Sequence, residues 1–195
     1  MNKYDIIGDI HGCAGKLTEL LHKLEYQKKG DVYFHPERTA IFLGDFIDRG
    51  PYQKETLQIV RPMIESGEAL SVMGNHEFNA ICYATKFNDD YIRPHSDKNT
   101  HQHKVFLEEF PFGTDEYYDA INWFKTLPVY IEGENFGVVH ACWCEGSFQK
   151  TSSVMEHNNI LSDEGYSNYA DETHDHYHAL ECTPSAQVGQ VAHHC

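Results

Sequence analysis

Short apolar runs alternate with helical patterns in the first half of the chain. Three runs have the length and composition of buried strands, and each stops at a glycine followed by a polar residue: "KYDIIGD", "TAIFLGD" and "EALSVMGN". After each run, apolar residues recur at helical spacing, in the segments 14–26, 54–67 and 77–85. Three successive strand–loop–helix units predict an α/β layered fold with a parallel sheet buried on both faces.

The pattern changes after residue 85. From Lys86 to His103 the chain is polar and rich in Asn, Asp and His, which predicts a long surface loop or insertion. Helical signals return in the segments 103–110 and 115–127, and "PVYIEGENFGVVHACW" predicts two strands joined by the turn "GEN". Beyond Trp143 no clear periodicity remains. We therefore expect one domain, with its main body in residues 1–150 and an irregular or truncated C-terminal segment in residues 151–195.

Composition restricts the partners. The chain has 195 residues, 41% of them hydrophobic, and a formal charge of −15 from 30 acids against 15 lysines and arginines. Such a balance argues against nucleic acid or an anionic membrane as a partner, so a phosphate-bearing substrate would need local cations such as bound metal ions. The first residues do not form a signal peptide, and no apolar run approaches the roughly 18 residues of a membrane span, so we expect a cytoplasmic protein.

A cluster of polar residues follows each predicted parallel strand, and a fourth cluster follows the last predicted strand. The clusters are "GDIHG" (Asp9, His11), "GDFIDRG" (Asp45, Asp48, Arg49), "GNHE" (Asn75, His76) and "VVHA" (His140). Open α/β sheets bind ligands at the carboxyl ends of their strands. Imidazole suits zinc or iron and carboxylate suits manganese, so the clusters predict a site for divalent ions.

Each residue also has a simpler interpretation when taken alone. Asp9 or Asp45 could cap the helix that follows it, and Asn75 could cap a helix or occupy a left-handed turn. His140 could be a solvated loop residue or a hydrogen-bonded core residue. Four such clusters in one chain, spaced at regular strand–helix intervals, favour a shared site over four separate explanations.

The first three motifs resemble the signatures of the calcineurin-like metallophosphoesterases, over about residues 4–145. An arginine directly after the second aspartate resembles the phosphoprotein phosphatase branch, which includes Ser/Thr protein phosphatases and bacterial diadenosine tetraphosphatases. The resemblance implies an α/β/β/α sandwich whose catalytic domain lies in residues 1–150. It also implies hydrolysis of a phosphomonoester or a nucleotide phosphoanhydride, with a phosphorylated protein or a dinucleoside polyphosphate as substrate.

The same resemblance implies two divalent metal ions, manganese first, with iron or zinc as alternatives. Asp9 and His11 would hold the first ion, Asp45 would bridge both, and Asn75 and His140 would hold the second. Two ions about 3.5–4 Å apart can lower the pKa of a shared water and hold the oxygens of an in-line displacement.

The remaining residues of the motifs are implied to act on the substrate. His76 would protonate the leaving-group oxygen, and Asp48 would fix the orientation of its imidazole. Arg49 would grip the phosphoryl oxygens in a bidentate manner, with Asn75 and His76 also contacting the substrate phosphate.

The sequence departs from the family at its end. The family carries a late Gly-His motif that completes the shell of the second metal, and no Gly-His dipeptide occurs here. The late histidines lack a preceding strand and glycine: His157, His174, His176, His178, His193 and His194. We therefore expect a sandwich that is incomplete at its C-terminal end, and keep a catalytically impaired, metal-binding fragment as the alternative function. A phosphodiesterase or nuclease is a third alternative, against which Arg49 argues.

Overall fold

A computed structural model describes residues 3–182 and 190–193. The strands within these ranges are β1 (Lys3–Ile7), β2 (Gln27–Lys29), β3 (Val32–Phe34), β4 (Arg38–Phe42), β5 (Ala69–Ser71), β6 (Lys86–Phe87), β7 (Asp90–Tyr91), β8 (Tyr130–Glu132), β9 (Phe136–Val139) and β10 (Gln190–His193). The α-helices there are α1 (Ala14–Lys23), α2 (Gln53–Glu65), α3 (Asn75–Ala84), α4 (Asp97–Gln102), α5 (Lys104–Glu109), α6 (Asp115–Phe124), α7 (Glu145–Thr151), α8 (Asp163–Tyr169) and α9 (Asp175–Cys182).

The first sheet is parallel, with strand order β1-β4-β5. Ile6 of β1 lies opposite Ile41 of β4, and Ile41 lies opposite Leu70 of β5. The helices α1, α2 and α3 follow these three strands in turn, which confirms the three predicted strand–loop–helix units. Burial on both faces holds for the central strand β4, whereas Ile6 on the edge strand is 43% exposed.

The second sheet is antiparallel, with strand order β10-β9-β8. Its β8–β9 hairpin is the predicted strand pair, and the N–H of Gly133 donates to the carbonyl of Phe136 (2.8 Å) to close the turn. A small apolar cluster joins the two sheets, with Ile41 from β4 against Val138 from β9. Stacked sheets with helices on the outer face of the first are consistent with the predicted metallophosphoesterase sandwich.

The period of two along β4 separates the two apolar layers. Ala40 and Phe42 belong to the large cluster under the helices, whereas Ile41 between them belongs to the cluster between the sheets. Alternate side chains of a strand point to opposite faces, so one strand supplies both layers. Leu21 of α1 and Val60 of α2 are fully buried in the large cluster, which fixes the helices over the sheet.

Residues 86–103 are more ordered than the predicted long surface loop. They contain the β6–β7 hairpin and α4, whose first turn is capped by Ser96 accepting from the N–H of Asn99 (3.3 Å). The ring of His95 stacks between Tyr83 and Tyr91, with ring centroids 3.8 Å and 4.0 Å away. Two-residue strands and a six-residue helix are too short to produce a periodic pattern, which explains the difference.

The segment after Trp143 differs from the prediction of irregular structure. It forms α7, α8 and α9, and β10 adds a backbone strand to β9, with Val191 opposite Val138. Helices of seven or eight residues with mostly polar sequences show little apolar periodicity, and contacts supply their order. Tyr166 of α8, for example, is fully buried and packs on Phe78 (ring centroids 5.5 Å apart).

Every helix among the described residues is too short or too polar to cross a lipid bilayer.

Candidate active site

The polar clusters that follow β1, β4, β5 and β9 meet at one edge of the sandwich. The loop after β1 is tied to the loop after β4, because the N–H groups of Ile10 and His11 both donate to the carbonyl of Asp45 (3.0 Å and 2.8 Å). The second sheet is tied to the same place, since the His140 ring lies 2.6 Å from the carbonyl of Leu43. The structure thus brings together all eight residues that the sequence predicted for a site: Asp9, His11, Asp45, Asp48, Arg49, Asn75, His76 and His140.

The loops that carry these residues have a strained backbone. His11, Asp45, Asp48 and Arg49 all have positive φ, between 48° and 66°, a region that costs a non-glycine residue about 1–2 kcal/mol. Gly44 (φ 88°) lies so close to the next loop that an added Cβ would clash with the backbone of Gly74. Such strain persists where surrounding contacts fix it and is typical of functional sites.

Asp45 lies at the centre of the site and is 3% exposed. Its Oδ2 lies 3.6 Å from His11 Nε2, 3.7 Å from His140 Nε2 and 4.0 Å from His76 Nε2. Its Oδ1 accepts a hydrogen bond from the N–H of His76 (3.0 Å). The three imidazole contacts are too long for hydrogen bonds, so the nitrogens surround the carboxylate without donating to it.

Backbone carbonyls fix the tautomers of two of these histidines. Nδ1 of His11 lies 2.9 Å from the carbonyl of Ile47, and Nδ1 of His140 lies 2.6 Å from the carbonyl of Leu43. A carbonyl can only accept, so both Nδ1 atoms carry the proton, and both Nε2 atoms turn a lone pair towards Asp45. His11 Nε2 is buried and, among the described residues, has no hydrogen-bond partner.

The amide of Asn75 belongs to the same group of atoms. Its terminal atom lies 3.0 Å and 3.2 Å from the two oxygens of Asp45, and 3.2 Å from His140 Nε2. With its nitrogen in that position the amide donates to the carboxylate. With its oxygen in that position, the amide places a further acceptor atom beside the Asp45 oxygens and His140 Nε2, so that all these atoms could bind a metal ion.

This donor set fits divalent ions. Two ligands that share one ion at about 2.1 Å each lie no more than about 4.2 Å apart, and the separations of 3.6 Å and 3.7 Å from Asp45 fall within that limit. The potential ligand atoms of His11, Asp45 and His76 all lie within 4.8 Å of one another, and so do those of Asp9, Asp45 and His140. Asp45 therefore belongs to both groups. The grouping differs from the predicted division of ligands, because Asp9 falls with His140 and His76 falls with His11. Neither group includes a late histidine from the described part of the chain.

Asp48 lies behind this centre and holds two imidazoles. It is 3% exposed and accepts from Nδ1 of His76 (2.6 Å) and from Nδ1 of His103 (2.9 Å). Burial alone would raise the pKa of Asp48, but the hydrogen bonds from His103 and His76 outweigh it, and the pKa is lowered. Burial works against protonation of His76, but the bond to Asp48 and the charges of Asp45 and Asp48 raise its pKa above the usual value.

Three residues that shape the site were missed by the sequence analysis, and His103 is the first. It lies 55 positions from Asp48 in the chain, at the end of the segment that was predicted to be a surface loop, and only 5% of it is exposed. The polar residues around it give no local signal of burial. The contact depends on where α4 and α5 place the side chain, which local patterns do not specify.

Glu77 is the second. Fully buried, its carboxylate accepts from the N–H groups of Asp45 (2.8 Å), Phe46 (2.8 Å) and Gly74 (3.1 Å). Burial first, and then the charge of Asp45, raise the pKa of Glu77 to about 7. A glutamate at the third position of a helix is a sequence signal for such a bond to the helix N-terminus, although the reach to the loop after β4 is not local.

Gln53 is the third, at the first position of α2 and fully buried. Its Oε1 accepts from the N–H of Asp48 (2.8 Å), and its Nε2 donates to the carbonyl of Gly50 (2.5 Å). One side chain therefore fixes both ends of the turn that carries Arg49. The guanidinium of Arg49 is at the opening of the site, 3.5 Å from His76 Nε2.

The chain is similar to several known proteins. A model of the calcineurin-like phosphoesterases matches residues 3–188. Curated relatives include two proteins named bis(5'-nucleosyl)-tetraphosphatase PrpE [asymmetrical]. The one from Halalkalibacterium halodurans is 45% identical over 75 residues, which are 38% of this chain and 30% of the relative. The one from Bacillus subtilis is 46% identical over 74 residues, or 37% of this chain and 30% of the relative.

The matched segment thus spans less than a third of either relative. Among solved structures, that of a mutant cold-active protein tyrosine phosphatase aligns with a TM-score of 0.54 at 15% identity. The alignment covers 96% of this chain and 57% of that chain, which supports the fold alone. The family model covers nearly the whole sequence, from the first strand to beyond α9. The chain belongs to the calcineurin-like phosphoesterase family.

Proposed function

We propose that the protein is a divalent-metal-dependent hydrolase of phosphoric ester or phosphoanhydride bonds. The observation that carries this proposal is the convergence of three imidazole Nε2 atoms on one buried carboxylate oxygen of Asp45, at 3.6–4.0 Å. Asp45 would be shared between two ions, with four further ligands around it: Asp9, His11, Asn75 and His140. Manganese is the ion we propose, and iron or zinc would suit the same ligands.

Divalent ions held there would polarise the phosphoryl group and lower the pKa of a bound water, so that a nucleophile exists at neutral pH. The chain itself must supply the remaining chemistry. In hydrolysis the oxygen of water bonds to phosphorus, the bond from phosphorus to the leaving oxygen breaks, and that oxygen takes up a proton. His76 is the proposed source of this proton, because its Nε2 faces the site while its Nδ1 is held by Asp48 (2.6 Å).

Asp48 and His103 are proposed to position His76. The lowered pKa of Asp48 keeps its carboxylate charged, and a charged partner favours the protonated imidazole that a general acid requires. Arg49 lies beside the same imidazole (3.5 Å) and is proposed to bind the phosphoryl oxygens through its planar fork. The backbone strain at Asp48 and Arg49, fixed by Gln53, would keep this geometry before substrate arrives.

A nucleotide phosphoanhydride is our preferred substrate class, and a dinucleoside polyphosphate is its best-supported member. The relatives from two bacteria are named as tetraphosphatases, and the net charge of −15 makes a small anionic substrate dependent on the local cations at this site. A phosphorylated protein remains the second candidate, since Arg49 would bind either kind of phosphoryl group.

The role of His76 can be tested through the leaving group. We expect His76→Asn to lower kcat by about 10²–10⁴-fold on a substrate with a basic alcohol leaving group, the usual contribution of a general acid. On p-nitrophenyl phosphate the loss should be smaller, because an acidic phenol leaves without full protonation. The measurement is kcat on both substrates with added manganese.

His157→Asn is the matched control, because His157 lies in a surface 3-10 turn outside the site and its loss should leave both rates unchanged. Equal losses on the two substrates in His76→Asn would contradict proton donation by His76. The absence of hydrolysis of either substrate by the wild-type protein would contradict the proposed activity as a whole.

A further inference from the structure

A cleft of about 930 Å³ opens beside the proposed active site. One wall carries site residues, including Arg49 and His76, and the other wall comes from the segment 93–105. That second wall contributes three cationic side chains: Arg93, Lys98 and Lys104. The carboxylate of Asp48 also lines the cleft, but it is 3% exposed and accepts from His76 and His103, and Lys104 pairs with Glu108 (3.5 Å). Arg49, Arg93 and Lys98 give the rest of the lining a positive charge, which concentrates anions in an otherwise acidic protein.

The arginines of the chain divide into two kinds. Arg38 pairs with Asp5 (3.3 Å), and Arg61 pairs with Glu65 (2.7 Å) and Asp119 (2.5 Å). The other two, Arg49 and Arg93, lie in the cleft, and among the described residues neither forms an ion pair with a carboxylate. In a chain with 30 acidic residues, two guanidinium groups in one cleft without acidic partners indicate that their partner is an external anion.

Neutral side chains hold Arg93 in place. Its guanidinium donates to Oδ1 of Asn79 and to Oε1 of Gln102 (2.7 Å). Asn79 lies one turn after His76 on α3, so residues i and i+3 of one helix support both groups on the same side. The backbone N–H of Arg93 also donates to the carbonyl of Cys82 (3.0 Å). Amide partners orient a guanidinium without neutralising it, so its full charge stays available to a ligand.

We propose that Arg93, assisted by Lys98, forms a second anion subsite that binds a further phosphate of a polyphosphate chain whose reacting phosphate lies at Arg49. This inference rests on the proposed hydrolase function and makes its substrate more specific. A planar guanidinium binds a phosphate in a bidentate manner, and two such groups in one cleft match a ligand that carries phosphates in series. A phosphoanhydride chain is therefore preferred over an isolated phosphomonoester.

Selectivity between two substrates tests the subsite. In Arg93→Gln, the ratio of kcat/KM for diadenosine tetraphosphate to that for p-nitrophenyl phosphate should fall about 10–100-fold, the usual effect of losing a charged hydrogen bond. Arg93→Lys keeps the charge without the fork and should give an intermediate ratio. Arg61→Gln removes a guanidinium outside the cleft and should leave the ratio unchanged. An unchanged ratio in Arg93→Gln would overturn the proposal.

Binding separates this inference from the proposed activity. Inorganic tripolyphosphate and orthophosphate serve as probes. The Kd of each probe is measured by calorimetry on wild-type protein, Arg93→Gln and Arg61→Gln, at a temperature where all three proteins are folded. We expect the Kd for tripolyphosphate to rise about tenfold or more in Arg93→Gln alone, and by more than the Kd for orthophosphate. Equal changes for the two probes, or none, would overturn the subsite. If wild-type protein hydrolyses neither substrate, the proposed activity fails while this binding result still decides the subsite.

Discussion

Asp45→Asn should lower kcat by at least about 10²–10³-fold, the cost of losing one electrostatic group in a closed site. Asp45 is the carboxylate shared by both groups of potential ligands, and asparagine carries no charge to hold two cations. The substitution preserves shape and can still accept the N–H of His76 through Oδ1. The measurement is the rate of hydrolysis of p-nitrophenyl phosphate and diadenosine tetraphosphate with added manganese.

Manganese should affect the thermal stability of Asp45→Asn and of the wild-type protein differently. With a chelator present, the Tm of the variant should equal or exceed that of the wild-type protein, because the substitution removes a buried negative charge that lies beside the Glu77 carboxylate. With manganese present, the wild-type protein should gain stability by ligand linkage, and the variant should gain none. Asp119→Asn, an exposed acid paired with Arg61, is the control and should behave as wild type. Hydrolysis at the wild-type rate, or a full manganese-dependent rise in Tm, would contradict the role of Asp45.

Glu77→Ala should cost at least about 3 kcal/mol of unfolding free energy. Three backbone N–H groups, of Asp45, Phe46 and Gly74, lose their acceptor, and each unpaired buried donor costs about 1–3 kcal/mol. Glu77→Gln keeps one acceptor oxygen in the same place and should cost less. The measurement is urea denaturation of the two variants beside wild type.

The comparison of the two variants of Glu77 isolates the hydrogen bonds from the loss of volume. If the urea midpoint is highest for wild type, lower for Glu77→Gln and lowest for Glu77→Ala, the hydrogen bonds of Glu77 form a clamp that ties the loop after β4 to the start of α3. Equal midpoints in all three proteins would mean that the carboxylate does not hold these loops together. Since the clamp fixes Asp45, the Ala variant should also bind manganese more weakly at a temperature where it remains folded.

Local patterns in the sequence are sufficient to predict the part of the site that follows the parallel strands. An apolar run that ends in Gly-Asp or Gly-Asn marks the carboxyl end of a strand, and these ends meet at one edge of a sheet. The motifs alone therefore place Asp9, Asp45 and Asn75 together. His140 follows β9 of the antiparallel second sheet, where this rule does not apply. It reaches Asp45 at 3.7 Å because the two sheets pack against each other.

The remaining features depend on contacts between distant segments. His103 is a partner of Asp48 because α4 and α5 bring it there, across 55 residues, and no pattern around it indicates that contact. The β2–β3 hairpin has three residues per strand, too few for a period to be seen. The helices between residues 145 and 182 have short, polar sequences, and buried aromatic residues such as Tyr166 order them.

We propose that two divalent ions share Asp45 in a catalytic centre. This proposal is tested most directly by the metal content per chain of manganese-reconstituted, desalted protein, measured beside hydrolysis of diadenosine tetraphosphate with and without chelator. We expect close to two ions per chain, together with turnover that the chelator removes. One ion or none without turnover, or turnover that persists in chelator, would contradict it.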